Sequence, residues 1–93
     1  MIAAVAAGNC VICKPSEVSS NTSQLIAKII AKVFDQDHVS AIEGGIDLTQ
    51  FLLKQKWEYI FFTGSSAVGK IVMKTVYGHI FFLINIQILL LFL

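Results

Sequence analysis

The sequence predicts an α/β fold in which short strands alternate with helices and pair into a small parallel sheet. Three short segments, 9–13, 39–42 and 58–63, are apolar or rich in residues that favour strands. Each is followed by a segment with helical spacing or a helix-start signal. Strands that alternate with helices pair in parallel through right-handed crossovers, and continuously apolar strands are typical of a sheet covered on both faces. Because three strands are few for such a sheet, we expect half of one.

The first predicted elements are the end of a helix and a strand. Residues 1–8 are rich in alanine, which favours helix, and Gly8 is a typical helix stop. A signal peptide is a poorer interpretation, because no positively charged segment precedes the short apolar run. We expect the strand over 9–13 to end where Lys14 and Pro15 are reached, because proline has no amide hydrogen to donate to the ladder.

An amphipathic helix is predicted over 22–34, where apolar residues recur at helical spacing. Lys28 and Lys32 lie on the opposite side of this helix. The candidate N-caps that precede it are Ser19, Ser20 and Asn21.

Two further helices follow the second and third strands. One is predicted over 47–56, where Asp47 caps the helix and Gln50 completes a capping-box-like pair three residues later. The other is predicted over 67–77, after a glycine–serine turn at 64–66. The resulting order alternates helix and strand from the first element to the last.

The composition is unusually apolar for a chain of 93 residues, which is long enough for one small domain. Hydrophobic residues make up 56% and charged residues 14% of it, whereas about 25% charged is typical of globular chains. We therefore expect apolar surface that meets either another part of a larger protein or lipid. The net charge of +1 gives no electrostatic reason to expect nucleic acid as a partner.

An apolar tail over 78–93 is set apart from a partial domain over 1–77. From Ile80 onward, only Asn85 and Gln87 interrupt the apolar run. Three interpretations stay open. As a membrane anchor the apolar run is too short, because roughly 20 residues are needed to span a bilayer. As a single buried strand it is too long, because strands usually have roughly 3–10 residues. Out-of-frame or intron-derived sequence is the third.

The cysteines and histidines give no metal or catalytic set. Cys10 and Cys13 form a C-x-x-C, but no second pair follows and they lie in an apolar strand instead of at a helix start. His38 is adjacent to Asp37 in a predicted loop, where neighbouring side chains point apart. His79 lies in the apolar tail. We therefore predict no metal site and no catalytic residue in this chain.

The turn after the third strand is a candidate anion site. A strand, a glycine turn and a helix in succession direct free backbone N–H groups and the positive end of a helix dipole at one spot. Gly64 permits the turn, and Gly69 permits close packing of the helix on the sheet. The glycine spacing matches neither the usual dinucleotide fingerprint nor a P-loop. Taken alone, this pattern is more typical of an ordinary strand-to-helix turn.

Two motifs give the chain a family resemblance. Residues 8–17, Gly-Asn-Cys-Val-Ile-Cys-Lys-Pro-Ser-Glu, resemble the aldehyde dehydrogenase segment GN-x-V-x-x-KPSE, and residues 62–69 resemble that family's FTGS-x-x-VG. Segments 52–56 and 69–73 resemble the class 3, fatty aldehyde dehydrogenase-like branch. The resemblance runs from near residue 2 to near residue 75. It implies a truncated piece of the NAD-binding domain, with part of a Rossmann-like parallel sheet.

The resemblance also implies roles for individual residues. Lys14 and Glu17 would contact the ribose hydroxyls of the adenosine, and the chemistry agrees, since an ammonium donates to a diol and a carboxylate accepts from it. Ser65 would meet the pyrophosphate, and Val68 would lie against the adenine. The implied cofactor is NAD or NADP; Glu17 favours NAD because it repels a 2′-phosphate, whereas Lys14 would attract one. The predicted cofactor-binding residues are Lys14, Ser16, Glu17, Gly64, Ser65 and Val68.

The departures from the family bear on activity. The family continues with an ELGGK segment, whose glutamate is the general base, and with a nucleophilic cysteine. Neither segment is found in this sequence, and Cys10 and Cys13 do not match the nucleophile position. We therefore expect an oxidoreductase fragment that is inactive alone. Its dinucleotide binding should be weak or absent, because an incomplete site raises the ordering cost.

A second hypothesis is a membrane-associated truncated isoform with a binding or regulatory role. Residues 80–93 would then contact the membrane, and the chain would contact full-length dehydrogenase subunits. The tail discriminates between the two hypotheses, because only a genuine tail supports membrane association.

Overall fold

The computed structural model of the chain describes residues 1–75, 80–84 and 88–92. Four α-helices, one 3₁₀ turn and five strands lie within these ranges. In chain order they are α1 Ile2–Ala6, β1 Val11–Pro15, the 3₁₀ turn Glu17–Ser19, α2 Ser20–Val33, β2 Val39–Ala41, α3 Ile46–Leu53, β3 Tyr59–Thr63, α4 Ser66–Thr75, β4 Ile80–Ile84 and β5 Ile88–Phe92.

The predicted alternation of strands and helices is confirmed. Helices follow β1, β2 and β3, and two pairs of strands run parallel. In the first pair Val11 lies opposite Val39, and in the second Tyr59 lies opposite Ile80. The helical connections account for the parallel pairing, since a crossover returns the chain to the same edge of the sheet.

The sheet has five described strands in the order β2-β1-β5-β3-β4, and it is mixed instead of purely parallel. The expectation of three parallel strands was therefore too simple. β5 runs antiparallel to both of its neighbours, β1 and β3. Only residues 85–87 separate β4 from β5, and a parallel crossover needs about a dozen residues. A strand that follows so short a connection runs in the opposite direction.

The apolar run contributes β4 and β5 to this sheet. Its backbone thus forms two short strands, not the single long strand that was considered. None of the helices in the described ranges combines the length and the apolar character needed to cross a membrane. The proposed boundary between 77 and 78, and the end of the helix predicted over 67–77, fall in residues 76–79, outside the described residues.

One predicted strand boundary and one predicted cap are corrected, and one of the three candidate caps of α2 is confirmed. β1 extends through Pro15, where the missing amide hydrogen costs the ladder one donor at the last position only. Gly45, and not Asp47, is the N-cap of α3. Asp47 lies in the first turn of α3, where a carboxylate interacts favourably with the helix dipole. Ser19 is the N-cap of α2, although its side chain makes no capping hydrogen bond. As expected, Gly8 follows the first helix, with a φ of 82°.

Apolar side chains cover both faces of the sheet. Side chains alternate between faces along a strand, and accordingly Ile60 and Phe62 lie in one core cluster while Tyr59 and Phe61 pack against the other. The first cluster includes Trp57, whose indole Nε1 donates to the carbonyl of Leu52. The two clusters consist of Leu52, Leu53, Trp57, Ile60, Phe62 and Val72 on one side, and of Val11, Cys13, Ile30 and Val39 on the other.

Candidate functional site

A cavity of about 360 Å³ opens at the carboxyl ends of β1 and β3, between α3 and α4. Ligands of open α/β sheets bind outside the carboxyl ends of the strands, and small-molecule sites measure roughly 300–1,000 Å³. This volume suits part of a dinucleotide better than a whole one. The cavity is lined by Lys14, Pro15, Ser16, Glu17, Val18, Ile46, Thr49, Gln50, Leu53, Phe62, Thr63, Gly64, Ser65, Val68, Ile71 and Val72.

Every residue of the predicted cofactor-binding set lines this cavity. The two motifs lie far apart in sequence, but β1 and β3 both run antiparallel to β5 and are therefore parallel to each other. Their carboxyl ends meet at one edge of the sheet, which brings the motifs together. The roles of these residues toward a cofactor stay predictions. The residues that meet here are Lys14, Ser16, Glu17, Gly64, Ser65 and Val68.

Lys14 and Glu17 form an ion pair at one end of the cavity. The Lys14 Nζ donates to Glu17 Oε2 over 2.8 Å and to the carbonyl of Pro15 over 3.4 Å. The lysine side chain is 5% exposed and the glutamate side chain 49%. The hydrogen bond from Lys14, and then a backbone hydrogen bond, lower the pKa of Glu17, while partial burial opposes them. The pair therefore presents a charged donor and a charged acceptor side by side.

The turn that carries Glu17 is fixed by two serines. Ser16 Oγ accepts from the backbone N–H of Val18 over 3.3 Å and caps the 3₁₀ turn. Ser23 Oγ donates to the carbonyl of Ser16 over 2.5 Å from the first turns of α2. Ser23 is buried, and the sequence analysis missed its positioning role. The signal that could have identified it is a small hydroxyl residue in the first turns of an amphipathic helix.

The turn after β3 places the start of α4 against the cavity. A Cβ on Gly64 would lie 2.5 Å from the ring of Phe62, so this position accepts no side chain without rearrangement. Ser65 Oγ accepts from the N–H of Val68 over 3.4 Å, as expected of an N-cap. The other N–H groups of the first turn have no partner inside the helix. A helix start of this kind suits an anion.

Two apolar helix faces form the walls of the cavity. Val68, Ile71 and Val72 on α4 are spaced three and four residues apart and share one face. Ile46 and Leu53 on α3 line the cavity as well. Facing apolar walls of this kind suit a flat ring system. The sequence analysis missed the wall formed by α3, because the start of that helix was interpreted only in terms of capping.

The cysteines and histidines lie elsewhere. Cys10 is exposed and Cys13 is buried, and neither lines the cavity. Burial raises the pKa of the Cys13 thiol. His38 lies in the connection between α2 and β2, and His79 lies outside the described residues. Across the described residues, no group of three or more His, Cys, Asp or Glu side chains could hold a metal ion.

Comparisons with known proteins point to one family. The model of the aldehyde dehydrogenase family matches residues 1–85. Aldehyde dehydrogenase family 3 member A2 of Macaca fascicularis is 50% identical over 80 residues, which make up 86% of this chain and 16% of that protein. An aldehyde dehydrogenase of Craterostigma plantagineum is 46% identical over 80 residues, 86% of this chain and 17% of that protein. The chain thus spans less than a fifth of the length of these relatives.

A solved structure shares the fold. The substrate-bound state of Staphylococcus aureus AldH matches with a TM-score of 0.86 and 42% identity, over 90% of this chain and 19% of that one. The match to the family model reaches residue 85, beyond the end near residue 75 that the motifs indicated. It therefore includes β4 and leaves out β5.

Proposed function

Since the chain belongs to the aldehyde dehydrogenase family, we propose that its cavity binds the adenosine half of NAD or NADP. The segment would serve an oxidoreductase that acts on aldehydes. One observation carries the proposal: a charged pair, Lys14 and Glu17, and the start of α4 lie at the same apolar cavity. An adenosine diphosphate group presents a diol, a flat base and an anion, and each has a suitable counterpart there.

The residues present fit this half of the cofactor. The Lys14 ammonium and the Glu17 carboxylate supply a donor and an acceptor for the ribose hydroxyls. The α4 wall that includes Val68 supplies an apolar surface for the base, and the turn at Ser65 supplies a helix start for the pyrophosphate. The nicotinamide of a bound cofactor supplies the hydride acceptor; the residues described here bind and orient.

The ion pair bears on the choice between NAD and NADP. Lys14 is already engaged by Glu17 over 2.8 Å, so its charge is largely compensated and attracts a 2′-phosphate less. Glu17 is half exposed and repels a 2′-phosphate directly. We therefore propose NAD as the preferred cofactor.

We also propose that this chain does not oxidise aldehydes by itself. Its two cysteines are the exposed Cys10 and the buried Cys13, and neither lines the cavity. The sequence also contains no ELGGK segment, which in the family provides the general base. Turnover would then require the remainder of a dehydrogenase such as the relatives above.

Isothermal titration of the chain with NAD tests the binding proposal. We expect weak but saturable binding, a several-fold loss of affinity in Glu17→Ala, and no loss in Glu43→Ala, because Glu43 is exposed and does not line the cavity. Absence of binding at millimolar NAD would contradict the proposal. An assay of NADH absorbance with a long-chain aldehyde should show no turnover, and a measurable rate would disprove the proposed inactivity.

A further inference from the structure

The cavity has a polar group on its α3 wall that the proposed function leaves unused. Gln50 lies four residues after Ile46 and three before Leu53, so the three share one face of α3. Among the described residues that line the cavity, Gln50 carries the only carboxamide. Gln50 and Val68 line the same cavity, so the carboxamide borders the cavity to which the base is assigned.

No local partner holds this carboxamide within the described part of the chain. By contrast, two polar side chains near it in sequence do have hydrogen-bond partners. Thr49 Oγ1 donates to the carbonyl of Gly45 over 3.0 Å, and Gln55 Nε2 donates to the carbonyl of Phe51 over 3.1 Å. Both of those side chains donate to backbone carbonyls of α3 or its N-cap. Gln50 keeps one oxygen acceptor and two N–H donors for a ligand.

We propose that Gln50 recognises the base of the bound dinucleotide and makes the site select adenine over a 6-oxopurine. The proposal rests on the proposed nucleotide site. A glutamine carboxamide forms a bidentate pair with adenine, accepting from the N6 amino group and donating to N7. A 6-oxopurine presents two acceptors along the same edge, so the carboxamide oxygen loses its donor. A bidentate pair of this kind discriminates by about tenfold or more.

The test compares NAD with nicotinamide hypoxanthine dinucleotide, in which an oxygen replaces the N6 amino group. Both are titrated into the ¹⁵N-labelled chain and followed by ¹H–¹⁵N correlation spectra, which detect weak binding. In the wild type we expect NAD to bind about tenfold more tightly, and the side-chain amide signals of Gln50 to shift with NAD far more than with the analogue. Gln50→Leu should bind the two dinucleotides alike.

Gln24→Leu is the matched control. Gln24 is an exposed helical glutamine on α2 that does not line the cavity, so this variant should keep the preference. Leucine and glutamine have similar helix propensities, and circular dichroism checks that both variants fold. If the wild type binds both dinucleotides equally, or if Gln50→Leu keeps the preference, the inference is overturned while the nucleotide site stands. If neither dinucleotide binds, the inference and the proposed function fall together.

Discussion

Replacing Glu17 by glutamine removes the charge of the ion pair and keeps its shape. The Lys14 ammonium is almost fully buried and then has only a neutral amide oxygen and the more distant Pro15 carbonyl as acceptors. A hydrogen bond to a charged group contributes about 1.5–3 kcal/mol. Glu17 is half exposed, so water replaces part of this contribution, and we expect a loss of about 1 kcal/mol in the free energy of unfolding.

The free energy of unfolding lost in Glu17→Gln should become smaller as the pH falls. The pKa of Glu17 in the folded chain is lowered from its ordinary value of 4.5, chiefly by the hydrogen bond from Lys14. A lowered pKa means that the stabilisation is fully present above pH 4.5 and is lost as the pH falls through the folded-state value. Urea denaturation followed by far-ultraviolet circular dichroism measures the difference at pH 7 and at the lowest pH at which the chain stays folded.

Two results would refute the assignment of this stabilisation to the ion pair. A difference between wild type and Glu17→Gln that is the same at both pH values would show that it does not come from the ionised carboxylate. The control is the double variant Lys14→Met with Glu17→Gln. Once Lys14 is absent, the change at Glu17 should cost almost nothing, and a cost that persists would mean that the ion pair is not its source.

Three other expectations follow from burial and backbone geometry. Ile60 is fully buried in the core cluster that includes Trp57 and Val72. Ile60→Ala should therefore lower the free energy of unfolding, measured by urea denaturation, by about 2–5 kcal/mol. Gly8 has a φ of 82°, and Gly8→Ala should cost about 1–2 kcal/mol in the same measurement. Ellman's reagent should modify the exposed Cys10 rapidly and the buried Cys13 only after denaturation, because burial raises the pKa of that thiol.

The controls for the two stability changes use an exposed position and an unstrained one. Ile29→Ala on the outer side of α2 should change stability by less than about 0.5 kcal/mol. Gly45→Ala should be far milder than the change at Gly8, because its φ is −86° and no atom lies within 4 Å of an added Cβ. Equal losses within either matched pair would contradict the reasoning, as would two thiols that react at the same rate in the folded chain.

Local patterns predicted most of the elements because they depend on neighbours in sequence. The spacing of apolar residues along α2 and the glycine at Gly8 need no information from distant parts of the chain. The position of β5 between β1 and β3 was not predictable in this way, because a strand's partners are set by contacts remote in sequence. Pro15 shows a smaller limit: the rule that proline ends a strand left its exact last residue undetermined.

The site was predicted on one side only. Lys14, Glu17 and Ser65 were identified through two short motifs, and the fold explains why those motifs meet. The α3 wall belongs to neither motif, and Gln50 was interpreted as a capping residue, whereas Gly45 takes the N-cap position. The same residue can fit a capping pattern and also lie on the side of a helix that faces a ligand. Only the orientation of the helix against its neighbours decides which of the two roles the residue has.

Trp57 gives the chain an internal optical probe. It is the only tryptophan in the sequence, and its indole is buried with Leu53 and Val72, two residues that also line the cavity. Its emission should lie at short wavelengths in the folded chain and shift to the red when water reaches the indole. Because apolar side chains of the same core cluster border the cavity, unfolding and ligand entry can each be followed at one unlabelled residue.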